Sequence, residues 1–253
     1  MLRRRIIPCL DVAGDIVVKG TRFQDLQVMG DPAELAARYE EQGADEVVLL
    51  DITASAEGRA PRPEVVERVA RRLGIPLTVG GGLGSLAVIG QVLGAGADKV
   101  SLNTPALQQP ELITAAAQRF GSQAVVVAVD VRRVDDDWAV FARGGSEPTA
   151  WRLAPWLKKV ESLGAGEILL TSIDRDGTGG GYDLEALRSA AATVGLPIIA
   201  SGGGAFAEQI AAALAVPGVT GALIAGILHA GRTTVADLKC ELHAMGVSVR
   251  AAG

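Results

Sequence analysis

Ile6-Ile7-Pro8-Cys9-Leu10-Asp11 and Val125-Val126-Val127-Ala128-Val129-Asp130 decide the fold of this chain. Each is a short apolar run that closes on an aspartate. At nearly the same offset, Glu46-Val47-Val48-Leu49-Leu50 returns as Glu167-Ile168-Leu169-Leu170-Thr171. Val79-Gly80-Gly81-Gly82 returns as Ser201-Gly202-Gly203-Gly204. Three matches in one order predict two copies of a half-domain. Each copy has an acid after its first strand and a glycine-rich turn after its third. Such a doubling suits a ligand with two similar ends, reacting between two carboxylates.

Eight apolar runs recur: Arg5–Leu10, Glu46–Asp51, Pro76–Gly80, Lys99–Asn103, Ala124–Asp130, Glu167–Thr171, Pro197–Ser201 and Gly221–Ala225. They are continuous rather than alternating, as strands buried on both faces should be. Helical segments separate them. Asp31-Pro32-Ala33-Glu34 is a helix start, with an acceptor cap, Pro at the first position and Glu three residues after the cap. Helices are also expected over Pro63–Arg72, Ser85–Leu93, Pro110–Phe120, Pro155–Leu163, Leu184–Ala192, Ala207–Leu214 and Val235–Met245. Gly43, Gly74, Gly94, Gly121, Gly164, Gly195 and Gly246 fit left-handed helix stops. Strands alternating with helices in this way predict an α/β fold, a single-domain (β/α)₈ TIM barrel with a two-fold half-barrel repeat. An open doubly wound sheet is the rival, and two four-unit halves favour closure. One domain is expected over 1–253, with half-barrels roughly over 1–122 and 123–253. Two long connections, 12–30 and 131–150, occupy equivalent places in the halves and are lid candidates.

Of 253 residues, 49% are hydrophobic, enough for a sizeable core. The net charge of -5 argues against nucleic acid as the main partner. Cys9 and Cys240 are too far apart for a metal spacing, and Cys9 reads as a small buried hydrophobe. The apolar stretch behind Arg3-Arg4-Arg5 is too short for a signal peptide, and no run approaches a membrane span of ~18 residues. A soluble cytoplasmic protein is expected, with no membrane, metal or cofactor.

In a barrel of this kind the active groups stand at the strand C-terminal ends. Asp11 and Asp130 close strands one and five, across the mouth from each other. Two carboxylates in one pocket can hold different protonation states, so one donates a proton while the other accepts. Gly81, Gly82, Gly202 and Gly203 offer backbone N–H groups ahead of helices, a geometry that suits phosphate. Asn103 and Thr104 after strand four, and Ala225 and Gly226 after strand eight, supply the second wall of each site. Asp176-Gly177-Thr178 adds polar groups to the second site, and Lys19 in the first long connection is placed to close over an anion. Asp51 either positions substrate or supports its loop. His229 and His243 are assigned no ligand role, and Ser55 and Ser201 lack a neighbouring base for nucleophilic catalysis.

Arg5, Glu46, Lys99 and Glu167 all begin strands, at the opposite end of the barrel. Four ionisable groups there must pair. The ring reads either as a structural salt-bridge layer or as a gate into the interior.

These stretches resemble the cyclase-subunit family of imidazole glycerol phosphate synthase, of histidine biosynthesis. The resemblance is carried by RIIPCLDV at Arg5, VVKG at Val17, GADEVVLLDITAS at Gly43, VGGG at Val79, GADKVSLNT at Gly96, FGSQAVVVAVD at Phe120, GAGEILLTSIDRDGT at Gly164 and LPIIASGG at Leu196. It runs from end to end. It implies a lyase that uses ammonia from a partner glutaminase subunit, forming a heterodimer with it. The implied substrate is phosphoribulosyl formimino aminoimidazole carboxamide ribotide, a bisphosphate. The implied products are imidazole glycerol phosphate and aminoimidazole carboxamide ribotide. Asp11 and Asp130 match the family's catalytic acids, and Asp11 is favoured for the ring-closing acid–base work. Arg5, Glu46, Lys99 and Glu167 match its ammonia gate, Asp98 a contact to the glutaminase, and Lys19 its substrate-closing loop.

Three departures stand out. Gly204 replaces a usual Ala, Gly226 a usual Ser, which removes a hydroxyl donor from the last phosphate site, and the tail of the strand-six loop, Gly179-Gly180-Gly181, is looser than usual. The nearest rival is the sister isomerase acting one step earlier on a related bisphosphate. It shares the repeat and the paired acids. Cys9-Leu10-Asp11, the Asp51–Ser55 segment and the charged ring favour the cyclase.

Overall fold

The computed structural model describes residues 3–21 and 24–250. Among these residues eight parallel strands form a ring: β1 (Arg5–Ala13), β2 (Val47–Asp51), β3 (Leu77–Gly80), β4 (Lys99–Leu102), β5 (Val125–Val134), β6 (Glu167–Ser172), β7 (Ile198–Ser201) and β8 (Val219–Ile224). Each pairs with the next in sequence. The ring closes where Arg5 lies opposite Gly221 and Pro8 opposite Ile224. The open-sheet alternative is thereby removed, and the chain is the TIM barrel that the repeat predicts. No helix among the described residues is long and apolar enough to cross a membrane.

Strand residues alternate between two environments. Ile6, Leu10, Val47, Leu49, Val125 and Val127 face the helices and join the large core that includes Trp156. Ile7, Cys9, Val48, Val126, Leu169, Ile199 and Leu223 face inward and fill the bore of the ring. At roughly 25 cal/mol per Å² of buried apolar surface, this double packing is the main force holding the layers together.

The helices follow the expected segments within a residue or two. Pro32–Glu41 is capped by Asp31, whose carboxylate accepts from Ala33 and Glu34 N–H. Leu86–Gly94 is capped by Ser85. The glycine stops need correction at three places. Gly43, Gly121, Gly164 and Gly246 do take positive φ. Gly94 instead lies inside its helix, and Gly96 (φ 109) makes the turn. Gly74 and Gly195 are not left-handed: their N–H groups donate to the carboxylates of Glu40 and Glu161, at 2.9 and 2.8 Å. The same side-chain clasp at matching places is a further mark of the repeat.

The two long connections are ribbons rather than open loops. β1 runs past Asp11 and pairs antiparallel with Ile16–Thr21, which pairs with Gln24–Gly30. β5 runs past Asp130 and pairs with Asp137–Ala142, which pairs with Glu147–Arg152. The reason is burial: Val17 and Val18 in the first ribbon, and Trp138, Val140 and Phe141 in the second, are taken out of water.

Candidate active site

The inward stripe of β1 reads Arg5, Ile7, Cys9, Asp11. Even spacing on a strand therefore puts a charged group at one end of the bore and an acid at the other. β5 carries Val126, Ala128 and Asp130 in the same sense.

At the mouth, burial pushes Asp11 up to about 6 and the charge of Asp176 adds to the rise, while a contact from the Cys9 thiol at 3.6 Å opposes it. Asp130 is pushed up to about 7 by burial and then by Asp176, against hydrogen bonds from Asn103 and Thr171. Asp176 is itself raised by burial. Both acids feel Asp176, so three carboxylates converge on one mouth. Two groups poised near neutrality can exchange protons at physiological pH.

The glycine turns stand on either side of these acids. Gly81 (φ 100) and Gly82 (φ 64) follow β3, and Gly202 (φ 89) and Gly203 (φ 96) follow β7. Side chains are excluded there: a Cβ on Gly82 would strike the Arg59 carbonyl, and one on Gly203 the Gly181 carbonyl. Lys19, in the first ribbon, donates to the Gly226 carbonyl of the neighbouring segment after β8 at 3.1 Å. Its cation thus stands beside Ala225 and Gly226, where the sequence places the second anion. Gly204 has a different cause. A side chain there would run into the hydroxyl and ring of Tyr182, which is buried and donates to the Leu223 carbonyl at 3.0 Å.

Other assigned residues have partners within the protein. Asn103 donates its amide to Asp130 at 2.9 Å, which ties it to the acid. Thr104 accepts from the Arg143 N–H at 2.9 Å and so anchors the second ribbon. The Gly177 N–H is turned to the Asp176 carboxylate. Asp51 takes Arg59 at 2.6 and 3.0 Å and the Ala54 N–H at 3.1 Å. Its geometry is that of loop support.

At the opposite end, the four strand-opening charges meet. Arg5 pairs with Glu46 at 2.9 Å and with Glu167, and Lys99 pairs with the same two at 2.9 and 3.1 Å. Thr78 donates to Glu46 at 2.6 Å, and Arg5 donates to Thr220 at 2.8 Å. The ring lies at the end of the bore below Ile7, Val48, Val126 and Leu169. Asp98, exposed beside it, accepts the Leu77 N–H at 2.8 Å.

Residues 5–234 match the model of the family described as histidine biosynthesis protein. The imidazole glycerol phosphate synthase subunit HisF of Sulfolobus acidocaldarius is 52% identical over 250 residues, covering 99% of this chain and all of that one. The proteins of the same name from Metallosphaera sedula and Myxococcus xanthus are 50% identical over 250 residues, covering 99% of this chain and 100% and 99% of theirs. The chain belongs to this family. It is a cyclase subunit of imidazole glycerol phosphate synthase, an enzyme of histidine biosynthesis in the lyase class. Several groups around the family's mouth were not singled out by the sequence reading. Thr171 lies opposite Asp130 in the β5–β6 register, a relation that strand alignment alone could have given. The Tyr39–His229 contact and the electrostatic reach of Asp176 carry no linear signal, because both depend on how distant units close together.

Proposed function

We propose that this cyclase subunit joins ammonia to phosphoribulosyl formimino aminoimidazole carboxamide ribotide and releases imidazole glycerol phosphate and aminoimidazole carboxamide ribotide. The observation that carries this reading is a pair of acids at about 6 and about 7, set between two side-chain-free turns. The turns at Gly81-Gly82 and Gly202-Gly203, with Lys19, Ala225 and Gly226, hold the two phosphates and stretch the substrate over the acids. Asp130 assists addition of ammonia to the ribulosyl carbonyl and loss of water. Asp11 moves the protons of ring closure and C–N cleavage.

Ammonia arrives in this reading through the bore. Arg5, Glu46, Lys99 and Glu167 form its gate, and the apolar lining of Ile7, Val48, Val126, Leu169 and Ile199 carries a neutral molecule while disfavouring ions. A glutaminase subunit docks below, with Asp98 at the contact, and the complex works in the cytoplasm. Keeping ammonia inside the complex explains why a barrel of this kind would hold four charges at its base.

The test is direct assay of the purified chain with ammonium salts and the ribulosyl substrate, beside the ribosyl isomer that the sister isomerase uses. Formation of imidazole glycerol phosphate from the first and no isomerisation of the second is expected. Isomerisation without cyclisation would overturn the assignment.

A further inference from the structure

His229 closes the short helix Gly226–His229 after β8, and no step of the proposed reaction uses it. Both its ring nitrogens are engaged. Nε2 lies 3.0 Å from the Cys9 carbonyl oxygen, and Nδ1 lies 2.6 Å from the Tyr39 hydroxyl. A carbonyl can only accept, so Nε2 carries the hydrogen, and Nδ1 is left to accept from the phenol. One tautomer satisfies both contacts. Burial lowers the His229 pKa, the bond to the Cys9 carbonyl opposes this, and Lys19 nearby lowers it further, so the net shift favours the neutral ring. Burial also holds the Tyr39 phenol up at about 12, so its proton stays available to donate.

The partners of this ring come from separate parts of the mouth. Cys9 lies two residues before Asp11 on the same inward stripe of β1, and its thiol contacts the Asp11 carboxylate. Tyr39 lies on the helix Pro32–Glu41, directly after the first ribbon. Gly226, at the other end of the His229 helix, holds Lys19 through its carbonyl. The ring therefore stands at the seam where β8 closes on β1, and it bonds the strand that carries the acid to the segment that faces the second phosphate.

We propose that His229 is a positioning residue for Asp11: its Nε2–H fixes the Cys9 carbonyl, and so the end of β1, against the β8 segment that holds Lys19. The Tyr39 hydroxyl selects the tautomer that makes this bond. Small displacements of a reacting group have large kinetic effects, so the contact matters even though the ring never meets substrate. The inference rests on Asp11 acting as an acid–base group, as proposed above.

The experiment compares His229→Leu, His229→Gln and Asp11→Asn in ammonium-driven turnover, with melting temperature and kcat and KM for the ribulosyl substrate measured for each. Glutamine keeps an N–H that reaches the Cys9 carbonyl. The expected result is a kcat loss of about tenfold or more in His229→Leu with KM changed by less than about threefold, and recovery in His229→Gln to within about threefold of the parent. Should His229→Leu not fold, His229→Asn, too short to reach Cys9, takes its place with the same expectation. Equal impairment of the Leu (or Asn) and Gln variants, or full activity in both, would overturn the proposal while Asp11→Asn stays inactive. An active Asp11→Asn would remove the role of Asp11 itself, and the inference with it.

Discussion

Asn103 donates its side-chain amide to Asp130 at 2.9 Å, across the gap between β4 and β5. This bond favours the ionised carboxylate, whereas burial and Asp176 favour the neutral one. Replacing Asn103 by leucine removes the opposing influence. The Asp130 inflection, about 7 in the parent, is expected to move to higher pH. The pH profile of kcat/KM in ammonium-driven turnover, which reports the free enzyme, checks this, and an unmoved or lowered inflection would contradict it.

Asp130→Asn keeps the shape of the mouth and removes the carboxyl group proposed to transfer protons. Loss of a general acid–base group typically costs about 10²–10⁴-fold in rate. Ammonium-driven turnover should fall by that order while the bisphosphate still binds, since both glycine turns are untouched. Isothermal calorimetry beside the rate assay separates the two effects, and unchanged turnover would exclude the assigned role.

The raised acids also shape stability. Asp11 and Asp130 hold their protons in the folded chain to about 6 and about 7, well above the unfolded value for aspartate. The folded state therefore binds more protons than the unfolded state in this window. Their contribution is fully present below about pH 4 and is lost as pH rises through 6 and 7. Above it, each ionised carboxylate stands desolvated beside Asp176. Asp130→Asn should thus gain stability relative to the parent on going from pH 5 to pH 8. Urea midpoints at the two pH values test the sign.

Asp45 and Lys239 form an ion pair at 2.9 Å with both side chains almost fully buried. The Asp45 carboxylate also accepts the Ile6 N–H at 2.8 Å, so it joins the last helix to the first strand. Lys239→Met leaves the buried Asp45 charge to the more distant and exposed Arg250 at 3.9 Å, and a loss of up to about 3–5 kcal/mol is expected. Asp45→Asn added to it removes that charge and keeps an acceptor for Ile6, so most of the loss should return. Chemical denaturation of the single and double variants measures both.

Gly203 cannot take a side chain without moving the Gly181 carbonyl, and its φ of 96 is unfavourable for any other residue. Gly203→Ala should therefore damage the second of the two proposed phosphate sites and spare the first. In sulfate-soaked crystals the parent is expected to hold an anion at each turn, and the variant only the one beside Gly81 and Gly82. Two equally occupied anions in the variant would refute the assignment of this turn.

The legible features share one property: they repeat. Eight apolar runs, acids at the ends of the first and fifth, and glycine turns after the third and seventh leave a periodic record, because a strand buried on both faces needs continuous apolar residues and a side-chain-free turn needs glycine. The period of two even places Arg5 and Asp11 on one inward stripe, so the charged ring and the mouth follow from counting. The helix stops were less legible. Gly74 and Gly195 look like left-handed caps in the sequence, yet their N–H groups meet Glu40 and Glu161 on the helices one βα unit earlier. A glycine read alone does not show which distant acceptor it will meet.

The order of residues was enough for the barrel, its two-fold repeat, the two acids and the glycine turns, because those depend on local patterning and on residue types with few conformational alternatives. It took the folded chain to show that the long connections fold as ribbons, that Asn103 faces Asp130, that Asp51 is consumed by Arg59, and that His229 links Tyr39 to Cys9. Those relations join residues from separate βα units. Their distances are set by ring closure and core packing, which no short stretch of chain contains.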